Sequence, residues 1–160
     1  MRIQNKLNKT QLFLLLTVRV LLGWYFLYEG CSKLLHPHWT AIGFLKSSEG
    51  WFSSFFISIS ENPNTVDIIN FLNIWGLIAI GLGLILGALS QVASIAAICI
   101  LTLYYLAHPP LINTSQQMLM ENTLWVDKNL IFIAILLLLY SLPTSHIIGI
   151  DRFLFKNKRN

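Results

Sequence analysis

RVLLGWYFLYEGCSK, residues Arg19 to Lys33, is the stretch whose reading decides the fold. It lies inside an apolar segment from Gln11 to Leu35. As a helix rising roughly 1.5 Å per residue, that segment is about 37 Å long, enough to cross a bilayer with some tilt. Arg19, Glu29 and Lys33 are therefore ionisable groups within a membrane helix. Such groups are costly in hydrocarbon and turn to a bundle interior or to water. Arg19, Gly23, Phe26, Gly30 and Lys33 recur at spacings of four, three, four and three and so share one helical face, while Glu29 and Lys33 form an i,i+4 pair. That face is where function is expected.

The rest of the chain supports the same class. Its 160 residues are 55% hydrophobic and 11% charged, and the charges gather at the ends and in two connecting segments. This is the composition of an integral membrane protein of one domain, residues 1–160. From Ile68 to Met120 there is no Asp, Glu, Lys or Arg, a stretch too long for one span and suited to a helical hairpin. Arg2, Lys6 and Lys9 ahead of the first apolar run resemble the start of a secretory signal. The run exceeds a signal h-region and lacks an A-x-A cleavage site, so it is expected to be retained. Cys31 and Cys99 fall on different helices without C-x-x-C spacing and read as small buried thiols.

Along the chain, His36-Pro37 ends the first span, expected over residues 11–35. Residues 38–62 are too polar to cross. Trp51, Phe52, Phe55, Phe56 and Ile59 mark one face of a short amphipathic helix, expected at the headgroup level or over the bundle mouth. Asn62-Pro63-Asn64 breaks the chain and can begin the next helix, a second span over about 66–89, whose glycines Gly76, Gly81, Gly83 and Gly87 mark close helix packing. A turn near Ser90-Gln91 leads to a third span over about 92–108, ended by Pro109-Pro110. The apolar run from Asn129 to Leu142 is short for a crossing, so a fourth span is expected to continue through a kink at Pro143 to about Ile148.

Charge gives the orientation. Both ends are basic (Arg2, Lys6, Lys9; Arg152, Lys156, Lys158, Arg159) and belong on the cytoplasmic side, which requires an even number of crossings. Glu29, Glu49, Glu61, Asp67, Glu121 and Asp127 then fall at the outer side. The expected fold is all-α, an integral membrane four-helix bundle with an interfacial amphipathic helix between helices 1 and 2, in a bacterial inner membrane with both termini cytoplasmic.

In this topology polar ends of all four helices meet at the outer mouth: Glu29, Lys33, His36 and His38; Asn70 and Asn73; Tyr104, Tyr105 and His108; Asp127, Lys128 and Asn129. Convergent polar groups in an apolar bundle make a small-molecule or cofactor site, or satisfy helix ends and one another. A quinone suits them: its oxygens take hydrogen bonds and its reduction takes up protons, which a His or Tyr beside a Glu-Lys pair can supply. The H-x-H at His36 and His38 does not have zinc spacing, and no metal is expected. Trp39, Trp51, Trp75 and Trp125 read as interfacial anchors. Arg19 either snorkels to the cytoplasmic headgroups or finds an internal acceptor, a helix-end carbonyl or a ligand oxygen.

Five blocks carry a family likeness: R-x-x-x-G-x-x-F-x-x-x-G-x-x-K (Arg19 to Lys33), NIWGLIAIGLGLILG (Asn73 to Gly87), YYLAHPP (Tyr104 to Pro110), KNL (Lys128 to Leu130) and GIDR (Gly149 to Arg152). Their order and spacing resemble the DoxX family of four-helix bacterial membrane proteins, the first and third in the form common in Bacteroidota. The family includes relatives of the DoxD subunit of thiosulfate:quinone oxidoreductase. The resemblance implies a membrane subunit that passes reducing equivalents from a partner protein to menaquinone or ubiquinone. The chain has no flavin, haem or iron-sulfur motif, and nucleic acid is not an expected partner. Lys33, Glu29, His108 and Tyr104 are the expected reactive groups. Arg19, Gly23, Phe26, Asn73 and Asn129 are expected to hold the quinone, with Gly23 and Gly30 also permitting close packing. The contrasting expectation is a non-catalytic scaffold or receptor that binds a periplasmic partner through the aromatic segment 39–60. A homo-oligomer is compatible with either.

Overall fold

Helix termini in this chain are set by residues that satisfy or withhold backbone hydrogen bonds. The structure, a computed structural model, describes residues 8–109, 126–142 and 144–154, which are helical with no strand among them. The first long helix, α1 (Lys9–Leu35), starts where the Asn8 amide donates to Gln11 Oε1 and stops at His36-Pro37. Two short helices follow, α2 (Ile42–Lys46) and α3 (Ser53–Ser60). The next, α4 (Pro63–Leu86), has Pro63 in its first turn, and the Asn62 side chain caps it by accepting from the Asn64 amide. It ends on Gly87, whose φ of 63° lies in the left-handed region that glycine adopts freely. Then come α5 (Ser90–Ala107), α6 (Lys128–Ser141), a 3₁₀ turn (Thr144–His146) and α7 (Asp151–Leu154).

Three helices, α1, α4 and α5, are long and apolar enough to cross a membrane, while α6 is a shorter apolar helix. In packing, α1 lies along α4, α4 along α5, and α5 along α6, with α1 and α6 meeting over a smaller area. Leu22 and Phe26 of α1, Leu77 and Leu84 of α4, Ala97 and Leu101 of α5, and Leu136 and Leu139 of α6 form one buried core.

The α1–α4 contact is close because glycines face each other. A Cβ on Gly81 would lie 2.5 Å from the Leu27 amide nitrogen and 2.7 Å from the Gly23 carbonyl oxygen; one on Gly30 would meet the backbone of Ile78. Without Cβ atoms the two backbones touch, the packing available to helices that gain nothing from burying apolar groups away from lipid.

Two expectations are corrected here. The fourth helix does not run on to Ile148 but stops at Ser141, and the chain turns back to the end of α4. The amides of Ile150 and Asp151 donate to the carbonyls of Leu86 (3.1 Å) and Gly87 (3.0 Å), so the chain beyond the 3₁₀ turn caps α4. Residues 51, 52, 55, 56 and 59 do not share one face of a single helix. Trp51 and Phe52 precede α3, Trp51 is 85% exposed, Phe55 is exposed, and Phe56 is the aromatic that packs inward. As the Asn62-Pro63-Asn64 break allows, α4 begins at Pro63, since proline needs no amide partner at a helix start. The kink expected at Pro143, Trp125 and most of the loop before α6 lie outside the described residues, as do Arg2, Lys6 and Lys156 to Arg159.

The segment from Trp39 to Ser60 is fastened over one end of the bundle. Ala41, Leu45 and Phe56 bury against Ala107 at the end of α5. The Ala41 amide donates to Asn70 Oδ1 (2.8 Å), and Ser48 Oγ donates to the Ala107 carbonyl (2.8 Å).

Candidate functional site

Beneath that cap lies a cavity of about 820 Å³, within the range of roughly 300–1,000 Å³ typical of small-molecule sites. Residues of α1 (Tyr25, Phe26, Glu29, Lys33), the cap (Trp39, Thr40, Ala41, Phe44), α4 (Asn73, Leu77), α5 (Leu101, Tyr104, His108) and the start of α6 (Asp127, Lys128, Asn129) line it. Seven of the nine expected site residues thus share one cavity: Lys33, Glu29, His108, Tyr104, Phe26, Asn73 and Asn129.

Its polar groups are ordered by a short network. Lys33 Nζ donates to Asn73 Oδ1 at 3.1 Å and pairs with Glu29 Oε2 at 3.7 Å. An ammonium has no lone pair, so the Asn73 atom facing it must be the carbonyl oxygen, and the Asn73 amide nitrogen is left to donate to Tyr104 Oη at 2.5 Å. The Tyr104 oxygen is therefore an acceptor in the network and keeps its own proton to donate elsewhere. Lys33 likewise retains N–H groups beyond the one Asn73 takes. Trp39 and Tyr104 place ring faces 5.3 and 5.7 Å from Lys33 Nζ, which favours the cation over an apolar floor.

His108 caps the end of α5 and marks the mouth. Its ring packs on Phe44 at 4.5 Å, and Phe44 packs edge-on against Tyr104 at 5.4 Å. His108 Nε2 lies 3.1 Å from Ser47 Oγ, whose hydroxyl proton goes to the Phe44 carbonyl at 3.2 Å. Ser47 then accepts from His108, which puts the imidazole proton on Nε2; the buried Nδ1 has no hydrogen-bond partner.

The α6 wall has its own arrangement. Asp127 caps the helix, Oδ1 accepting from the Leu130 amide at 2.8 Å, while Oδ2 accepts from Asn129 Nδ2 at 2.6 Å. The one carboxylate thus holds both the first turn of α6 and the amide nitrogen of Asn129.

Arg19 and Gly23 are placed elsewhere. Gly23 is buried in the α1–α4 contact. Arg19, 3% exposed, lies toward the other end of the bundle and does not snorkel. Its Nη1 donates to Thr144 Oγ1 at 3.0 Å and its Nη2 to the Ile148 carbonyl at 2.9 Å. A Cβ on Gly87 would sit 3.1 Å from Nη2, so the α4–α5 turn is closed over the guanidinium. Asp151, near enough to act on Arg19 electrostatically, takes the first amides of α5: its Oδ1 accepts from Leu89 at 2.6 Å and its Oδ2 from Ser90 at 3.2 Å. Leu89 is itself left-handed, with φ 51°, a cost for a non-glycine residue that the Asp151 contact offsets.

Two of the lining aromatics, Tyr25 and Phe44, were not expected at the site. Tyr25 carried a signal, since Tyr25, Glu29 and Lys33 step by four and form the strip beside the buried Gly23–Phe26–Gly30 face. Phe44 carried none, because its position depends on how the cap folds back onto α5.

A family model described as DoxX matches residues 14–109, more than half of the chain. No curated protein and no solved structure matches.

Proposed function

Because the chain belongs to the DoxX family and has three helices fit to cross a membrane, we propose that it is the membrane subunit of a quinone-linked oxidoreductase system in a bacterial inner membrane. The observation that carries this reading is the pair of free donors, Tyr104 Oη–H and Lys33 Nζ–H, set side by side by Asn73 in an aromatic-lined cavity. A quinone, menaquinone or ubiquinone, bound there supplies a two-electron, two-proton acceptor, the electrons coming from a reduced cofactor on a partner protein. Lys33, charge-balanced by Glu29, polarises a ring oxygen; Tyr104 donates to the same oxygen; Phe26 and Phe44 bound the ring; His108, through Ser47, exchanges protons with water at the mouth. In this reading α6 is a fourth crossing in a four-helix bundle, its shortness met by local thinning of the bilayer. Both termini are then cytoplasmic, and the cap is interfacial on the outer side.

The test is binding. Purified protein in lipid nanodiscs is expected to carry extractable quinone and to rise in melting temperature when titrated with a short-tailed analogue. Lys33→Ala and Tyr104→Phe are each expected to weaken binding about tenfold, the loss of one hydrogen bond to a polarised oxygen. No extractable quinone and no shift in wild-type melting temperature would overturn the proposal.

A second reading, a scaffold or receptor for a periplasmic protein, is favoured by the exposed Trp51, Phe52 and Phe55 on the cap. It predicts that Trp51→Ala with Phe55→Ala abolishes capture of that partner while Lys33→Ala and His108→Ala leave capture intact. Capture lost in the cavity variants instead would reject it.

A further inference from the structure

The apolar end of the cavity, lined by Phe26, Leu77 and Leu101, contains a phenol that packing does not explain. Tyr25 lines it from α1, two turns before Lys33. Its ring is held edge-on by Phe132 of α6, with centroids 4.9 Å apart, and by Phe26 of its own helix at 5.7 Å. A phenylalanine would make both contacts equally well. The hydroxyl is therefore the atom to account for, since a tyrosine O–H enclosed among apolar groups ordinarily finds a hydrogen-bond partner, and among the described residues this one has none. Its neighbours give its direction. The Tyr25 phenol acts electrostatically on that of Tyr104, which belongs to α5 and lines the same cavity. Two phenols from different helices thus face one space.

The two phenols differ in what holds them. Tyr104 Oη accepts from Asn73, which also takes a proton of Lys33, so Tyr104 and Lys33 serve one ligand oxygen. Tyr25 stands outside that network, on a ring clamped by two others, with its donor uncommitted. A para-dioxygenated ring has a second oxygen at its far end, away from Lys33. Left without a partner in an apolar enclosure, that oxygen would lose its hydration with nothing in return. Resting on the quinone reading above, we propose that Tyr25 is a ligand-binding residue whose hydroxyl donates to the second ring oxygen, opposite the one that Lys33 and Tyr104 take. The cavity then selects rings oxygenated at both ends over rings oxygenated at one. Because a hydroxyl rotates and can also accept, Tyr25 serves the carbonyl of the oxidised ring and the hydroxyl of the reduced ring alike.

The experiment reads each ring oxygen separately. Full-length protein in nanodiscs is loaded with a short-tailed ubiquinone analogue isotope-labelled at one carbonyl or the other, and the two C=O stretches are resolved by infrared difference spectroscopy. In the wild type both stretches are expected below their values in apolar solvent. Tyr25→Phe is expected to return one of them to its free value and to weaken binding about tenfold, the loss of one hydrogen bond. Tyr104→Phe is expected to move the other. The melting temperature of ligand-free Tyr25→Phe is expected to match wild type, because both ring contacts remain. A wild-type spectrum with a single lowered stretch, unaltered affinity in Tyr25→Phe, or movement of the same stretch in both variants would overturn the proposal. The wild-type spectrum reports even where a variant fails to fold. A wild type that binds no quinone would reject the quinone reading itself, an outcome distinct from binding through one oxygen.

Discussion

Gly81→Ala is expected to cost more than about 3 kcal/mol, enough to prevent isolation of folded protein in mild detergent. The three atoms nearest the added methyl would all be backbone: the Leu27 amide nitrogen at 2.5 Å, the Gly23 carbonyl oxygen at 2.7 Å and Leu27 Cα at 2.7 Å. A flexible side chain could swing away from such a clash, but a helix backbone can relieve it only by moving as a body. Overpacking in ordinary cores costs about 1–3 kcal/mol, where side chains can adjust; here α1 and α4 must separate along the length they share. The control lies in the same helix. A Cβ on Gly76 meets only Ile100 Cδ1, at an ordinary 3.7 Å. Gly76→Ala is therefore expected to be neutral or to stabilise by up to about 1 kcal/mol through helix propensity. Thermal unfolding of the two variants side by side checks the pair of outcomes, and equal behaviour would reject glycine-mediated contact as the basis of the α1–α4 packing.

Asp151→Ala is the second large effect, expected at about 3 kcal/mol. The buried carboxylate accepts from the Leu89 and Ser90 amides and acts on the buried Arg19 charge. Loss of a helix cap costs about 0.5–2 kcal/mol, and an uncompensated buried charge adds to it. Asp151→Asn keeps one acceptor oxygen and is expected to recover about half of the loss. Because Arg19 and Asp151 belong to one cluster, the double variant Arg19→Leu, Asp151→Ala should be less destabilised than the sum of the single variants. Additive losses would show that the two residues act separately.

The contrast between these residues explains how much could be read from the sequence. Periodicity along one helix is local, so the Arg19–Lys33 stretch announced a membrane helix with one polar end, and the placement of Lys33, Asn73, Tyr104 and His108 toward the same end of the bundle brought them together in the cavity. The close packing expected of Gly23 and Gly30 was legible for the same reason. The partners of Arg19 were not. They lie 125 and 129 residues away in a segment that reads as the continuation of a helix, and nothing in its composition tells that its amides cap α4. The cap was legible as a polar, aromatic interruption but not in its burial pattern, since the two short helices follow the contours of α4 and α5 rather than a single amphipathic face. The matched stretch 14–109 likewise holds Arg19 but none of residues 144–151 that close over it.

That closure sets an order of events during synthesis. Arg19 enters the bilayer with the first helix, yet Thr144 and Ile148, which accept from its two terminal nitrogens, leave the ribosome only after helices α1 to α6 have been made. Until then the nascent hairpin holds an unsatisfied cation at the base of its α4–α5 turn. A late segment of the chain therefore completes the surroundings of a charge carried by its first helix.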